Sequence, residues 1–510
     1  MPGSSKQLVT VAALFVAAVT LLPIAVVAAD GLGSDLAAAL DYVVRPRIGL
    51  LLGNTIVLVL VTVPATVVIG VAAAWLVEST DLPFAGLWRV LLGAPLAVPA
   101  FVSSYAWISF RPGMDGLFGA ALVTTAAYYP FVYLPVAAIL RDLDSSPEED
   151  ARALGAGAWS AWRRTVLPRL RPAMSGGALL VALHLLAEFG VLEMMRYPTF
   201  TTAILDQYEV SFASNHGSLL ALVLALLCVT VLVLEHFIRG SARTARVGRG
   251  VHRVAAPLRL GRWKPLASAA MALVVLIALV VPVTLVARWL ISYVLEANPD
   301  AAGIRPSLLL TTGTTISLAL AAAVLTTVMA LPGAWLLARR RSGGALILER
   351  VTYVASSLPG AVIGLALITL TVRSLPGIYQ SPYLLVLGYT ILFIPRAMIS
   401  LRAGLAASPP ELGEAARSLG STPWQAFVRV VLPLILPSVL TGAALVAIAT
   451  ATELTATLLL SPTGTSTLAT AFWAASDEFD YVGAAPYAAM MIVLSAPLTV
   501  LMLRQSGIEQ

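Results

Sequence analysis

Twelve apolar runs constrain this 510-residue chain more than any motif in it, because a helix needs roughly 20 mostly apolar residues to cross a bilayer. They fall at about 8–29, 50–77, 88–110, 117–140, 173–195, 217–238, 266–290, 307–337, 351–372, 383–400, 434–460 and 483–503. The hydrocarbon core offers no water, so each segment must satisfy its own backbone groups. Uninterrupted runs of this length do so as helices, whereas barrel strands would alternate in shorter segments. The expectation is an all-α integral membrane protein with about twelve transmembrane helices. Composition excludes the soluble alternative: with 59% hydrophobic and 11% charged residues, no water-facing surface can be assembled.

The first run resembles a secretory signal, since Lys6 precedes it and Val27-Ala28-Ala29 closes it like a cleavage site. It is longer than an ordinary signal core, however, and the internal run 266–290 holds the same place ahead of the second half. A retained first span is expected. The lone cysteine, Cys228, lies inside an apolar run with no partner for a disulfide and reads as a small buried hydrophobe.

Orientation follows from the basic residues, which are retained on the cytoplasmic side near span ends. With the amino terminus inside, all Lys and Arg fall inside except Arg45, Arg47, Arg111, Arg196, Arg288, Arg305 and Arg373. Both termini are therefore expected in the cytoplasm. The asymmetry explains the net charge of +6 and removes any reason to invoke nucleic acid. The stretch 239–264, rich in Arg and free of acids, reads as a cytoplasmic linker in contact with anionic lipid.

The chain also repeats itself. At an offset of 265, Glu149 pairs with Glu414, Ala151 with Ala416, Arg152 with Arg417, Leu154 with Leu419 and Gly155 with Gly420. The match continues through Trp159 and Trp424, Leu167-Pro168 and Leu432-Pro433, Gly177-Ala178 and Gly442-Ala443, and Glu188 and Glu453. Earlier, at an offset of 260, Gly53 pairs with Gly313, Thr55 with Thr315 and Ala74-Trp75 with Ala334-Trp335. Each block sits in a loop on the same expected side, so the repeats are parallel. The division is 1–240, first repeat with a loop at 146–171; 241–264, linker; and 265–510, second repeat with a loop at 408–436.

Both loops open with a cap-type residue and Pro ahead of acids, Ser146-Pro147-Glu148-Glu149 and Ser408-Pro409-Pro410-Glu411. Ala151, Leu154 and Ala158 then recur at helical spacing, as do Ala416, Leu419 and Pro423. Gly155 and Gly420 end or bend each short helix. A pair of such helices projecting from a membrane bundle suits the docking of a peripheral protein, and its duplication argues against an incidental surface loop.

The run Glu414-Ala415-Ala416, three residues, Gly420, nine residues and then Val430-Val431-Leu432-Pro433 resembles the EAA signature of ABC-importer permeases. The first copy departs from it at Asp150 and Thr165. By resemblance the fold is two fused MetI-like permease domains of six spans each. The resemblance makes Glu149, Ala151, Gly155, Glu414, Ala415, Ala416 and Gly420 the elements that couple to a cytoplasmic ATPase, present in two copies. It also implies an extracytoplasmic binding protein and a location in the bacterial inner membrane. The segments 94–101, Glu188-Phe189-Gly190 with 199–204, and 453–460 with 467–470 are most similar to ferric-iron permeases. Fused permeases for thiamine, phosphonate or polyamine share the architecture.

This chain carries no Walker A pattern, and only Lys6 and Lys264 exist to supply its lysine. ATP is therefore expected to be hydrolysed by another polypeptide, with no cofactor bound here. His184, His216, His236 and His252 lack metal-ligand spacing; packing or surface roles are expected, and no catalytic residue or metal site. A membrane-embedded hydrolase and a secondary transporter are the other classes, and neither predicts a signature loop in each half. Glu188 and Glu453 lie about eleven residues into otherwise apolar spans, where a charge is costly and usually faces a cavity. They are expected to flank a translocation pathway, with His184 one turn before Glu188 as its hydrogen-bond partner; the alternative is that each acid only pins its helix.

Overall fold

The computed structural model describes residues 3–33, 36–141, 143, 146–211, 215–239, 257–296, 306–339, 348, 351, 352, 354 and 357–505. Among these, nine helices are long and apolar enough to cross a membrane, and the shorter apolar helices Gly360–Ser374 and Tyr481–Pro497 correspond to the runs at 351–372 and 483–503. The expected continuous span 88–110 is instead bent by 92° between Ala97 and Ala100. Pro95 and Pro99 lie at the bend, where prolines deny the backbone its helical bonds.

In chain order the helices are α1 (Gly3–Leu32), α2 (Leu36–Val43), α3 (Pro46–Ser79), α4 (Ala85–Gly93), α5 (Ala100–Phe110), α6 (Gly116–Tyr128) and α7 (Pro130–Arg141). The first cytoplasmic loop contributes α8 (Ser146–Ala153) and α9 (Ala158–Thr165), and α10 (Leu167–Ala187) and α11 (Gly190–Met194) follow. Next come α12 (Phe200–Ser211), α13 (Asn215–Arg239), α14 (Lys264–Val275), α15 (Val281–Glu296) and α16 (Pro306–Arg339). The remainder is α17 (Gly360–Ser374), α18 (Pro382–Ala407), α19 (Pro410–Ser418), α20 (Pro423–Ala451, through a wide turn at Phe427–Val431), α21 (Thr455–Leu460), α22 (Leu468–Asp477) and α23 (Tyr481–Gln505).

The chain forms two compact units. Unit 1 comprises Met1–Ile48, Phe200–Val229 and Asn298–Glu478; unit 2 comprises Gly49–Thr199, Thr230–Ala297 and Phe479–Gln510. Each unit thus takes most of its helices from one sequence repeat and its flanking helices from the other. In unit 1, α1 packs on α16 and α17, burying Ala13 beside Leu336 and Leu348. At its end Asp30, buried, accepts a hydrogen bond from Ser218 at 2.6 Å and pairs with Arg373 of α17. In unit 2, α14 and α15 pack on α4 and α5, and Met271 and Val275 join the core of Tyr129, Tyr133, Leu170 and Leu185.

Close packing of helices in a bilayer relies on small residues that let backbones approach. The repeated glycines show this: a Cβ on Gly177 would meet Phe131 O at 2.8 Å, and one on Gly442 would meet Ser400 Cβ at 3.2 Å. Hydroxyls in the spans return their proton to their own helix, as Thr55 does to Leu51 O at 2.7 Å and Thr315 to Thr311 O at 2.8 Å, so that few are left wanting in an apolar setting.

Candidate functional site: two signature loops and two acids at helix breaks

Each signature loop closes its short helix in the same way. In unit 2, Gly155 N–H donates to Arg152 O at 2.9 Å and Ala156 N–H to Ala151 O at 3.0 Å. In unit 1, Gly420 N–H donates to Arg417 O at 3.0 Å and Ser421 N–H to Ala416 O at 3.1 Å. This crossed pair is a Schellman motif, which needs a left-handed residue at the position after the cap. Gly155 has φ +88° and Gly420 φ +90°. The spacing of the signature thereby acquires a physical cause. Ala151 and Ala416 supply the carbonyl that the turned chain comes back to, and the glycine four residues later makes the turn. Ala415 lies one turn before Leu419 and accepts its N–H at 3.1 Å.

The motif turns Leu154 and Leu419 outward, 89% and 88% exposed. That corrects the expected amphipathic face through 158 and 423, because both helices stop at the glycines before a further turn can form. The two loops thus expose a large apolar side chain at the same position, and the second exposes Leu412 and Trp424 as well. Glu414 pairs weakly with Arg417 at 3.7 Å, and Arg152 pairs with Glu148 at 2.6 Å; the side chain of Glu149 lies outside the described residues. Ser408 does not cap α19 as expected: it closes α18, and Pro409 precedes α19 without a side-chain cap.

Glu188 and Glu453 are not inside continuous helices, which is a second correction. α10 ends at Ala187 and α20 at Ala451. Each acid then caps the short helix that follows: Glu188 Oε1 accepts from Val191 N at 3.0 Å, and Glu453 Oε1 from Ala456 N at 3.0 Å. A carboxylate three residues ahead of a freed backbone N–H satisfies a group that the bilayer cannot. Pattern reading missed the break because the residues on either side are as apolar as a span.

The surroundings of the two acids differ. Tyr128 OH donates to Glu188 Oε2, a partner not foreseen from sequence. His184 is half-buried with its ring 4.6 Å from that of Phe131 and 5.5 Å from that of Tyr128, and its Nδ1 lies 2.8 Å from Leu180 O. At the second acid, Thr457 donates to Glu453 O at 2.6 Å and shares a hydrogen bond of 2.7 Å with Tyr389. Tyr128 and Tyr389 could have been sought as hydroxyls facing an acid, but they lie sixty or more residues away in sequence.

At the end of α3 in unit 2, the buried carboxylate of Glu78 takes Arg89 Nη2 at 2.9 Å and Nε at 3.1 Å, with Arg141 Nε at 3.4 Å. Arg141 closes α7, directly ahead of the first signature loop. Among the described residues no three His, Cys, Asp or Glu gather as a metal site. His216 stacks on Tyr42 at 4.1 Å and Cys228 is buried; His252 and the side chain of His236 lie outside the described residues.

The sequence profile described as binding-protein-dependent transport system inner membrane component matches residues 37–237 and 330–507, once around each signature loop. The Fe(3+)-transport system permease protein FbpB 2 of Haemophilus influenzae is 33% identical over 462 residues, 90% of either chain. The sulfate transport system permease protein CysW of Synechocystis is 29% identical over 36% of this chain and 74% of its own, and that of Escherichia coli 26% over 37% and 70%.

Proposed function

Because the chain belongs to the family of binding-protein-dependent transport system inner membrane components, we propose that it is the fused permease of an ABC importer for ferric iron. The observation that carries the coupling role is the pair of identically closed loops with exposed Leu154 and Leu419. Similarity to the Haemophilus influenzae permease over nine-tenths of both chains supports the cargo. The sulfate permeases match about a third of this chain, which favours oxyanion import as the second reading.

In the proposed mechanism two copies of a separate cytoplasmic ATPase seat on the signature loops, one under α8 and one under α19. Glu149, Ala151, Gly155, Glu414, Ala415, Ala416 and Gly420 shape those seats. ATP-driven closure moves the loops, and the helices above them open toward a loaded extracytoplasmic binding protein. Glu188, with Tyr128 and His184 beside it, and Glu453 meet the cargo at the helix breaks. An acid already hydrogen-bonded to protein holds a cation transiently, as passage requires. The chain lies in the cell membrane with both termini in the cytoplasm, and it binds no cofactor of its own.

The test is uptake into proteoliposomes holding the permease, its ATPase and its binding protein. ATP-dependent accumulation of ferric iron, absent when the ATPase is omitted, is the expected result. Accumulation that follows a proton or sodium gradient without the ATPase refutes the importer reading, and ATP-dependent sulfate uptake without iron uptake replaces the cargo.

A further inference from the structure

The run 383–400 ends shortly after Arg396, but α18 continues to Ala407. Arg396 therefore lies within the helix, about 21 Å from Pro382 and about 16 Å from Ala407 at 1.5 Å per residue. A guanidinium at such depth faces protein interior or a water-filled cavity and finds a counter-charge.

Helix register identifies that counter-charge. On one side, Ser400 donates to Ser438 O at 2.9 Å and Gly442 stands against Ser400 and Ala397. On the other, Tyr389 meets Thr457 at 2.7 Å and Gly388 stands against Leu460. Arg396 falls between these brackets on α18, and Glu453 falls between them on the chain from α20 to α21. The register sets the two charges on facing stretches of neighbouring elements. Arg396 is nonetheless exposed, with its guanidinium carbon 5.0 Å from the centre of the Phe393 ring. Its side chain is therefore accessible and not sealed in a core. The repeat offsets bring Val136 or Phe131 to this place in the first half, so no cation stands there, and Glu188 takes a tyrosine hydroxyl instead.

We propose that Arg396 lines the same passage as Glu453 and serves as that acid's counter-charge, so that a passing cation meets a carboxylate already shared with a guanidinium. This rests on the proposed pathway role of Glu453. A bare carboxylate at this depth would hold a multivalent cation too firmly to release it; the shared one exchanges partners. Arg396 is thus a specificity-determining residue of the second repeat alone.

Cys228 is fully buried and is the chain's single cysteine, so Arg396→Cys adds one distinguishable thiol. In proteoliposomes of the assembled transporter it should react with membrane-impermeant methanethiosulfonates, the trimethylammonium reagent about tenfold faster than the sulfonate because of Glu453. Glu453→Gln in that background should abolish the preference. No reaction with either reagent from either side places Arg396 against lipid and overturns the proposal, as does a preference that survives Glu453→Gln. If Arg396→Cys does not assemble, Leu392→Cys, one turn away on the same face, is labelled instead: Glu453→Gln should lower its cationic preference, and an unchanged ratio overturns the pairing. Ferric uptake should fall at least tenfold in Arg396→Gln and recover in Arg396→Lys; equal uptake by both variants also overturns it. Labelling needs no cargo, so wild-type vesicles that import no iron would refute the cargo assignment while leaving the Arg396 result to stand by itself.

Discussion

Replacement of Gly420 separates two contributions that the signature loop combines. Beyond its chain neighbours nothing stands within 4 Å of where a Cβ would be built, so an added methyl group meets no obstacle there. The backbone cost remains: φ is +90°, and a left-handed conformation costs an L residue about 1–2 kcal/mol. α19 has nine residues, far fewer than an isolated helix needs, so its ending is not insured by its length. A loss of that size lowers the fraction of correctly closed loop by a factor of about 5–30. Gly420→Ala should reduce cargo-stimulated ATP hydrolysis by up to that factor in proteoliposomes, and Gly420→Asn by less, since Asn tolerates left-handed backbone better. Gly420→Trp carries the same backbone cost and also fills the space beside Leu419 where the ATPase is proposed to sit, so transport should be abolished with membrane insertion intact. Gly155 has nearly the same φ, +88°, so the alanine variants should be equally affected; the tryptophan variant should be milder there, where the loop departs from the signature at Asp150. Full transport by both tryptophan variants at normal protein levels would refute the docking argument.

Three further perturbations have directions fixed by the structure. Leu154→Asp and Leu419→Asp remove the exposed anchors, and each should weaken co-purification of the ATPase by at least tenfold, with the double variant losing it; retention by the double variant would exclude these residues from the interface. Glu78→Gln leaves Arg89 and Arg141 without their buried counter-charge, so thermal unfolding in detergent should shift down by the equivalent of about 3–5 kcal/mol, and an unchanged midpoint would show that the triad is dispensable. Asp81 holds the start of the second half by accepting from Lys264 at 2.9 Å and Leu260 N at 2.8 Å, and these bonds, Lys264 foremost, hold its carboxyl below the usual range. A depressed carboxyl stabilises above its unfolded value and loses that contribution as pH falls through the folded one, so exchange protection of the Leu260 amide should persist at pH 7 and fade below about pH 4, and Asp81→Asn should remove this dependence.

What the sequence disclosed and what it concealed follow from the kind of information each needs. Apolar length is a local property, so the spans were legible with boundaries shifted by a few residues. The signature loops were legible because a Schellman motif calls for glycine at the left-handed position that closes the helix, and both copies carry it. The outward turn of Leu154 and Leu419 was not, since it depends on the sign of φ at the glycine. The breaks at Glu188 and Glu453 were hidden because hydropathy does not distinguish a continuous span from two pieces joined by a capping acid. The length of α18 was hidden for a related reason: a basic residue near the end of an apolar run reads as a span boundary, whereas the helix runs on past Arg396 and Ser400 to Ala407.

The exchange of helices between repeats leads to a last prediction, since sequence similarity divides the chain near 240–265 while compactness assigns 1–48 and 200–229 to the unit built mainly from 298–478. A polypeptide ending in the linker would leave α1 without α16 and α17. Asp30, 5% exposed in the whole protein, would lose Arg373 and stand as an uncompensated charge at a helix end, and Ala13 would lose Leu336. Conversely, 257–510 alone would leave α14, α15 and α23 without the α5 face on which α15 packs. An unpaired buried charge is among the few changes that cost several kcal/mol, comparable with the whole stability of a domain. Each half expressed alone should therefore be degraded in the membrane, whereas the two co-expressed from a break within 241–256 should accumulate, co-purify and support uptake. Stable accumulation of residues 1–248 without the other half would show that the exchanged helices are peripheral to the stability of either unit.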